Sequence, residues 1–170
     1  MGELKVQYAD IVYDTIVDGE GLRNTLYVSG CHNACPGCHN PKLQDPNYGK
    51  SESVFDIIRK LLKNDNVNDL TLSGGDPMEQ ASALTQLCFI WKLVRPSGNI
   101  WVYSGYTYEE IIANKEMKKL LTFCDVLVDG RFEIDKFDKN LLFRGSSNQR
   151  IIDVNRTRKE GKVVLYEPER

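Results

Sequence analysis

The soft metal ligands of this chain gather in one stretch, SGCHNACPGCHNP (29–41), where Cys31, Cys35 and Cys38 alternate with His32 and His39. Thiolates spaced this way in a loop containing Gly and Pro can converge on one soft metal site, because each sulfur arrives from its own direction. Two occupants fit. Zinc would take Cys31, Cys35 and Cys38 with His32 or His39, a Cys3His set that closes a structural tetrahedron. An iron–sulfur cluster would take the three thiolates and leave one iron open to an outside ligand. The spacing leaves both readings standing. A structural zinc loop usually sits on a small, core-poor module, however, and this chain of 170 residues, 41% apolar, has core enough to fold unaided.

The elements that must position this loop follow from periodicity. TLYVSG (25–30) is β-branched and aromatic and ends in Gly, which predicts a short buried strand running into the cysteines. The loop continues through NPKLQDPNYGK until Ser51 and Ser53 offer N-caps for a helix with an apolar face of Val54, Ile57, Ile58, Leu61 and Leu62. DLTLSGGDP (69–77) is a second strand entering a Gly-rich turn, followed by a helix over 79–94. NIWVYSGY (99–106) is a third strand. Thr107 and Glu110 form a capping box before the helical EEIIANKEMKKLL, and DVLVDG (125–130) is a fourth strand. Strand and helix alternating at roughly 25 to 30 residues per unit predict an α/β fold of parallel strands covered by helices. Ligands in such folds bind at the carboxyl ends of the strands, where all four strands here empty into Gly-bearing polar loops.

Bulk properties exclude several partners. The net charge of −2 gives no basic field to recruit nucleic acid or a membrane surface. The start MGELKVQYADIVYD is not a secretory leader, no apolar run of about 18 residues follows, and Val6 stands where a myristoylation motif needs Ser or Thr. The expectation is a cytoplasmic protein. Five cysteines, an odd number, argue against a disulfide framework in that compartment, and Cys88 and Cys124, among aliphatic and aromatic neighbours, read as core filler. No linker or repeat divides the chain, so residues 1–170 are expected to form one domain, with a loosely ordered tail after about 155.

CxxxCxxC directly after the first strand of an α/β domain resembles the cluster motif of the radical S-adenosylmethionine (SAM) superfamily, and SGGDP one unit later resembles its SAM-binding glycine motif. VDGEGLRNTLYVSGC, CPGCHNP, DVLVDGRF and RGSSNQR, in that order, resemble the activating proteins of anaerobic ribonucleoside-triphosphate reductase, from about residue 7 to 154. The resemblance implies a shortened, open, partial (β/α) barrel of parallel strands. It implies an oxidoreductase whose three cysteines hold three irons of a [4Fe-4S] cluster while the amino and carboxylate groups of SAM chelate the fourth. It further implies reductive cleavage of SAM to methionine and a 5′-deoxyadenosyl radical, which generates a glycyl radical on the large subunit of the reductase. Reduced flavodoxin or a similar donor is the implied electron source. An activase of another glycyl radical enzyme, such as pyruvate formate-lyase, is the nearest alternative, and a zinc-stabilised Cys3His interaction module is the alternative from another class.

The same resemblance assigns residues. Cys31, Cys35 and Cys38 match the cluster ligands. Gly74 and Gly75 match the glycine motif, where a backbone without Cβ can approach the methionine ammonium, although a tight strand-to-helix turn would need glycine too. Asp76 is a partner for that ammonium, an N-cap for the next helix with Pro77 at its first position, or both. Gly37 stands where many superfamily members carry an aromatic residue, so adenine must be met by backbone or by His39, while His32 reads as a loop surface residue. Tyr103, Ser104 and Gly105 lie on the same rim. Asp18, Gly19, Gly21 and Arg23, and Arg144, Asn148 and Gln149, match family stretches whose roles the residues do not reveal. Arg150, Arg156, Arg158, Lys159 and Lys162 make the C-terminal quarter basic, either a solvated face or a docking surface.

Overall fold

Seven segments of the computed structural model, which describes residues 3–169, are extended: β1 (Lys5–Thr15), β2 (Arg23–Val28), β3 (Lys50–Ser53), β4 (Asp69–Gly74), β5 (Ile100–Tyr103), β6 (Val126–Asp129) and β7 (Arg150–Asp153). Among the described residues they form one sheet in the order β3-β1-β2-β4-β5-β6-β7. The four strands anticipated from the sequence, β2, β4, β5 and β6, are its parallel centre. The expected all-parallel barrel is corrected to a mixed sheet, because β1 runs antiparallel to β2 and β3, and β7 antiparallel to β6. Connection length explains the first reversal: only residues 16–22 join β1 to β2, and a parallel neighbour needs a crossover of about a dozen residues or more. Residues 130–149, between β6 and β7, contain a single 3-10 turn at Ile134–Lys136 and no α-helix to carry the chain back across the sheet.

The helices are α1 (Val54–Leu61), α2 (Ala81–Val94), α3 (Tyr108–Ala113), α4 (Lys115–Leu121) and α5 (Val154–Glu160), and the Asp76 cap anticipated for α2 instead begins a 3-10 turn, Pro77–Gln80, that precedes it. Ser53 caps α1 by accepting from the Asp56 amide, and Thr107 with Glu110 closes the capping box of α3. The stretch expected as one helix from 109 to 121 is two. Asn114 adopts extended backbone (φ −106°, ψ 122°) and its side-chain oxygen accepts from the Glu116 and Met117 amides. Asn competes for backbone donors in this way, which is why it favours caps over helix interiors.

The main core lies on one face of the sheet. Leu26, Val28, Leu70, Leu72, Ile100, Val102 and Leu127 meet Val54, Ile57, Leu61, Leu84, Leu87, Trp91 and Leu120 from the helices, each side chain contributing about 1.5–3 kcal/mol where fully buried. Cys88 and Cys124 sit here as expected, 0% and 1% exposed. On the opposite face Trp101, Val126, Val128 and Ile151 pack with Tyr103, Phe143 and Tyr166. Arg23 is buried on that face at the start of β2, donating to Thr71 Oγ1 (2.8 Å), to Asn99 O and Oδ1 (3.1 Å each) and to the Glu20 carbonyl, with its guanidinium 5.3 Å from the Trp101 ring centre. It therefore anchors the sheet at the end away from the cysteine loop. The chain after α5 returns to this face: Tyr166 donates its amide to Ile151 O (2.8 Å), sets its ring 5.4 Å from Trp101 and donates its hydroxyl to Glu20. Among the described residues no helix is long and apolar enough to cross a membrane.

Candidate functional site

Because β2, β4, β5 and β6 are parallel, the loops that leave their carboxyl ends share one rim, as the sequence pattern anticipates. A cavity of about 470 Å³ opens there. Cys31, Cys35, Cys38, His39, Gly74, Gly75 and Asp76 line it, together with Asp18, Tyr103, Ser104, Gly105, Arg144 and Gln149. Gly37, His32, Arg23 and Asn148 are not on its wall. At Gly37 the chain is left-handed (φ +73°), and a Cβ there would stand 2.6 Å from Ile134 Cδ1. Its glycine character admits Ile134 against the loop.

The cysteine loop is closed at its base by backbone hydrogen bonds, Gly30 N to Leu43 O (2.7 Å) and Cys31 N to Gln44 O (3.2 Å), and Asp76 N donates to Gly30 O (2.8 Å). Within it Cys38 N donates to Cys35 O (3.1 Å), and Ala34 and Gly37 take left-handed conformations that bend the chain sharply. All three thiols are free and half-buried, and burial pushes the Cys31 thiol above its ordinary range. Neither histidine joins them. His32, its side chain 82% exposed, places Nδ1 3.0 Å from a Glu79 carboxylate oxygen, and His39 packs on Phe132 (ring centres 4.9 Å apart) and Phe137 (6.1 Å). Among the described residues no three His, Cys, Asp or Glu side chains stand close enough to hold a single metal ion. The three cysteines line one cavity, and an iron–sulfur cluster, unlike one tetrahedral ion, takes its thiolates on separate irons.

The SGGD turn is glycine for reasons of packing first. At Gly74, with φ +105°, a Cβ would lie 2.4 Å from Val28 O, and at Gly75 it would lie 2.5 Å from Gly30 O and 2.6 Å from Leu43 O. The turn is therefore wedged against the end of β2 and the base of the cysteine loop. Asp76, 1% exposed, caps the 3-10 turn Pro77–Gln80 by accepting from Met78 N (3.0 Å). It also accepts from Ser104 Oγ (2.9 and 3.1 Å), Gly105 N (2.9 Å) and Asn33 Nδ2 (2.8 Å). Burial outweighs these donors and raises its pKa to about 6. Asn33 escapes a reading based on residue type, since an amide between two cysteines carries no signal of its own, yet it reaches Cys31 Sγ (3.4 Å) as well as Asp76. On the cavity floor Asp18 accepts from the Tyr27 hydroxyl and from Thr15 Oγ1 (3.3 Å), and burial pushes the Tyr27 and Tyr103 hydroxyls up, keeping them protonated.

The RGSSNQ stretch is a brace. Gln149 Oε1 accepts from the Gly145 and Ser146 amides (2.9 and 3.1 Å), Gln149 Nε2 donates to Gly130 O (3.0 Å), Asn148 Nδ2 to Arg131 O (2.8 Å), and Arg144 to the Ser147 and Gln149 carbonyls. These bonds fix the 131–149 loop to the end of β6, where Gly145 lies against Phe132 and His39. Two of the basic groups near the C-terminus are paired, Arg150 with Asp129 and Glu109 and Arg156 with Glu160.

A family model described as a 4Fe-4S single cluster domain matches residues 17–152. The anaerobic ribonucleoside-triphosphate reductase-activating protein of Pasteurella multocida (strain Pm70) is 39% identical over 150 residues, 85% of this chain and 95% of the relative. The proteins of that name from Escherichia coli (strain K12) and Enterobacteria phage T4 are 36% and 33% identical over 140 residues, 79% of this chain and 90% and 86% of theirs. Identity at this level over most of both chains, with a cluster-domain match spanning the cysteine loop, the glycine turn and the RGSSNQ brace, leads to one conclusion: the chain belongs to the anaerobic ribonucleoside-triphosphate reductase-activating protein family.

Proposed function

We propose that the chain is a radical SAM activase that generates a glycyl radical on the large subunit of anaerobic ribonucleoside-triphosphate reductase. The observation that carries this reading is the shared cavity, onto which the three thiols, the SGGD turn and the His39 wall all face. Cys31, Cys35 and Cys38 would each hold one iron of a [4Fe-4S] cluster, leaving the fourth iron to the amino and carboxylate groups of SAM. Bound there and given an electron by reduced flavodoxin or a similar donor, the cluster would supply reductive cleavage of SAM, the chemistry by which a hydrogen atom would be taken from a glycine Cα of the reductase.

The chain's own residues supply the setting. Gly74 and Gly75 offer backbone carbonyls that can accept from the SAM ammonium, and Asp76 holds that turn in place while its carboxylate adds negative potential. His39, packed in a triangle of rings with Phe132 and Phe137, would form an aromatic wall for adenine, and Phe143 adds an apolar side chain to the cavity lining. The sheet is open rather than closed on itself, with β3 and β7 at separate edges, which leaves room for a glycine loop of the reductase to reach the cavity.

The test is anaerobic reconstitution with iron and sulfide, electron paramagnetic resonance after dithionite reduction, and assay of methionine and 5′-deoxyadenosine. Cys31→Ser, Cys35→Ser and Cys38→Ser should each lose the cluster, and His32→Ala should keep it. A glycyl radical doublet should then appear when the reductase is added. Colourless protein with stoichiometric zinc and no methionine would overturn the reading, and a doublet seen only with pyruvate formate-lyase would reassign the target.

A further inference from the structure

We propose that Asn33 is a positioning residue for the Cys31 sulfur, holding it by an N–H···S hydrogen bond that raises the reduction potential of the cluster bound there. The inference rests on the reading of Cys31 as a cluster ligand. Asn33 Nδ2 lies 3.4 Å from Cys31 Sγ and 2.8 Å from Asp76 Oδ2. A primary amide nitrogen carries two hydrogens, and an ionised carboxylate can only accept. Asp76, itself fixed by Met78 N, Ser104 Oγ and Gly105 N, thus determines which end of the amide faces inward. The NH2 group must, with one hydrogen on the carboxylate and the second left for the sulfur.

Gly105 completes the seat. A Cβ at that position would stand 2.4 Å from Asn33 Nδ2, so the amide fits where it does because residue 105 has no side chain. The result is a polar bridge across three loops, those that follow β2, β4 and β5, with the sulfur at one end and a buried carboxylate in the middle. A hydrogen bond to a ligating sulfur draws negative charge away from it and stabilises the reduced cluster, one of the means by which proteins set the potential of such clusters. Asn33 needs no contact with SAM or with the reductase to do this.

The experiment uses the full chain reconstituted anaerobically, without SAM, and reads the midpoint potential by paramagnetic resonance during a redox titration. Asn33→Ala should retain its iron and shift to a more negative potential, lowering the ratio of reduced to oxidised cluster about tenfold at the parent's midpoint, or about 59 mV for one electron. Gly105→Ala should shift the potential in the same direction by displacing the amide, while leaving the cysteine loop's sequence intact. A merely structural role for Asn33 would lower the melting temperature and leave the potential unmoved. Potentials equal to the parent's in both variants, at equal iron content, would overturn the proposal. If Asn33→Ala takes up no iron, Gly105→Ala decides alone on the same two outcomes. A parent chain that binds no iron overturns the cluster reading itself and is told apart by its metal content.

Discussion

Burial and hydrogen bonding pull on the Asp76 carboxyl in opposite directions, and burial prevails. Desolvation disfavours the charged form, while the amides of Gly105 and Met78 and the Ser104 hydroxyl favour it, and the balance stands at about 6. A folded-state pKa above the unfolded value means that the folded chain holds its proton more tightly. In the metal-free protein, stability from this group is full below about pH 4 and falls as pH rises through 6, by on the order of 3 kcal/mol. Asp76→Asn should abolish that slope, which urea titrations at several pH values between 4 and 7 would read. A slope unchanged in the variant would place its origin elsewhere. Asp129, 1% exposed, accepts from Tyr108 N (2.7 Å) and pairs with Arg150. Asp129→Ala should cost about 2 kcal/mol in denaturant unfolding, since it strands a partly buried amide and an arginine that is still partly solvated.

Two glycines with positive φ separate conformational strain from crowding at the level of single elements. Gly161 ends α5 at φ +70° with nothing within 4 Å of where a methyl would stand, whereas Gly74 ends β4 at φ +105° with Val28 O 2.4 Å from that position. Gly161→Ala should cost about 1 kcal/mol, the left-handed penalty alone. Gly74→Ala should cost about 3 kcal/mol or more, because overpacking against backbone is added to it. Equal denaturation midpoints for the two variants would contradict the wedge at the SGGD turn. The elements themselves show what a sequence discloses. Val54, Ile57, Ile58 and Leu61 announce α1 because helical period is a local property, and the loops after β2, β4 and β5 announce the rim because each follows an apolar run. The directions of β1, β3 and β7 are not local, since they depend on connection length and on a partner elsewhere in the chain. For the same reason Cys31, Gly74 and Asp76 can be picked out by type and spacing, but the Asn33–Asp76 bond, 43 residues apart in sequence, cannot.

The whole molecule divides its labour between the two faces of the sheet, one packed under helices and the other facing the cavity and closed at its far end by Arg23, Trp101 and Tyr166. Tyr166→Ala should uncover Trp101, 1% exposed in the intact protein, and shift tryptophan emission to longer wavelength, with a loss of about 2 kcal/mol. Trp91, buried in the helical core, would hold its own emission constant. The cysteine loop takes almost no part in either packed layer: its base is tied by backbone bonds, and none of residues 31–42 belongs to the buried clusters. The scaffold therefore does not depend on whatever the thiols carry. A centre lost from that loop would leave the frame standing, so it could be rebuilt in place without sending the chain back through folding.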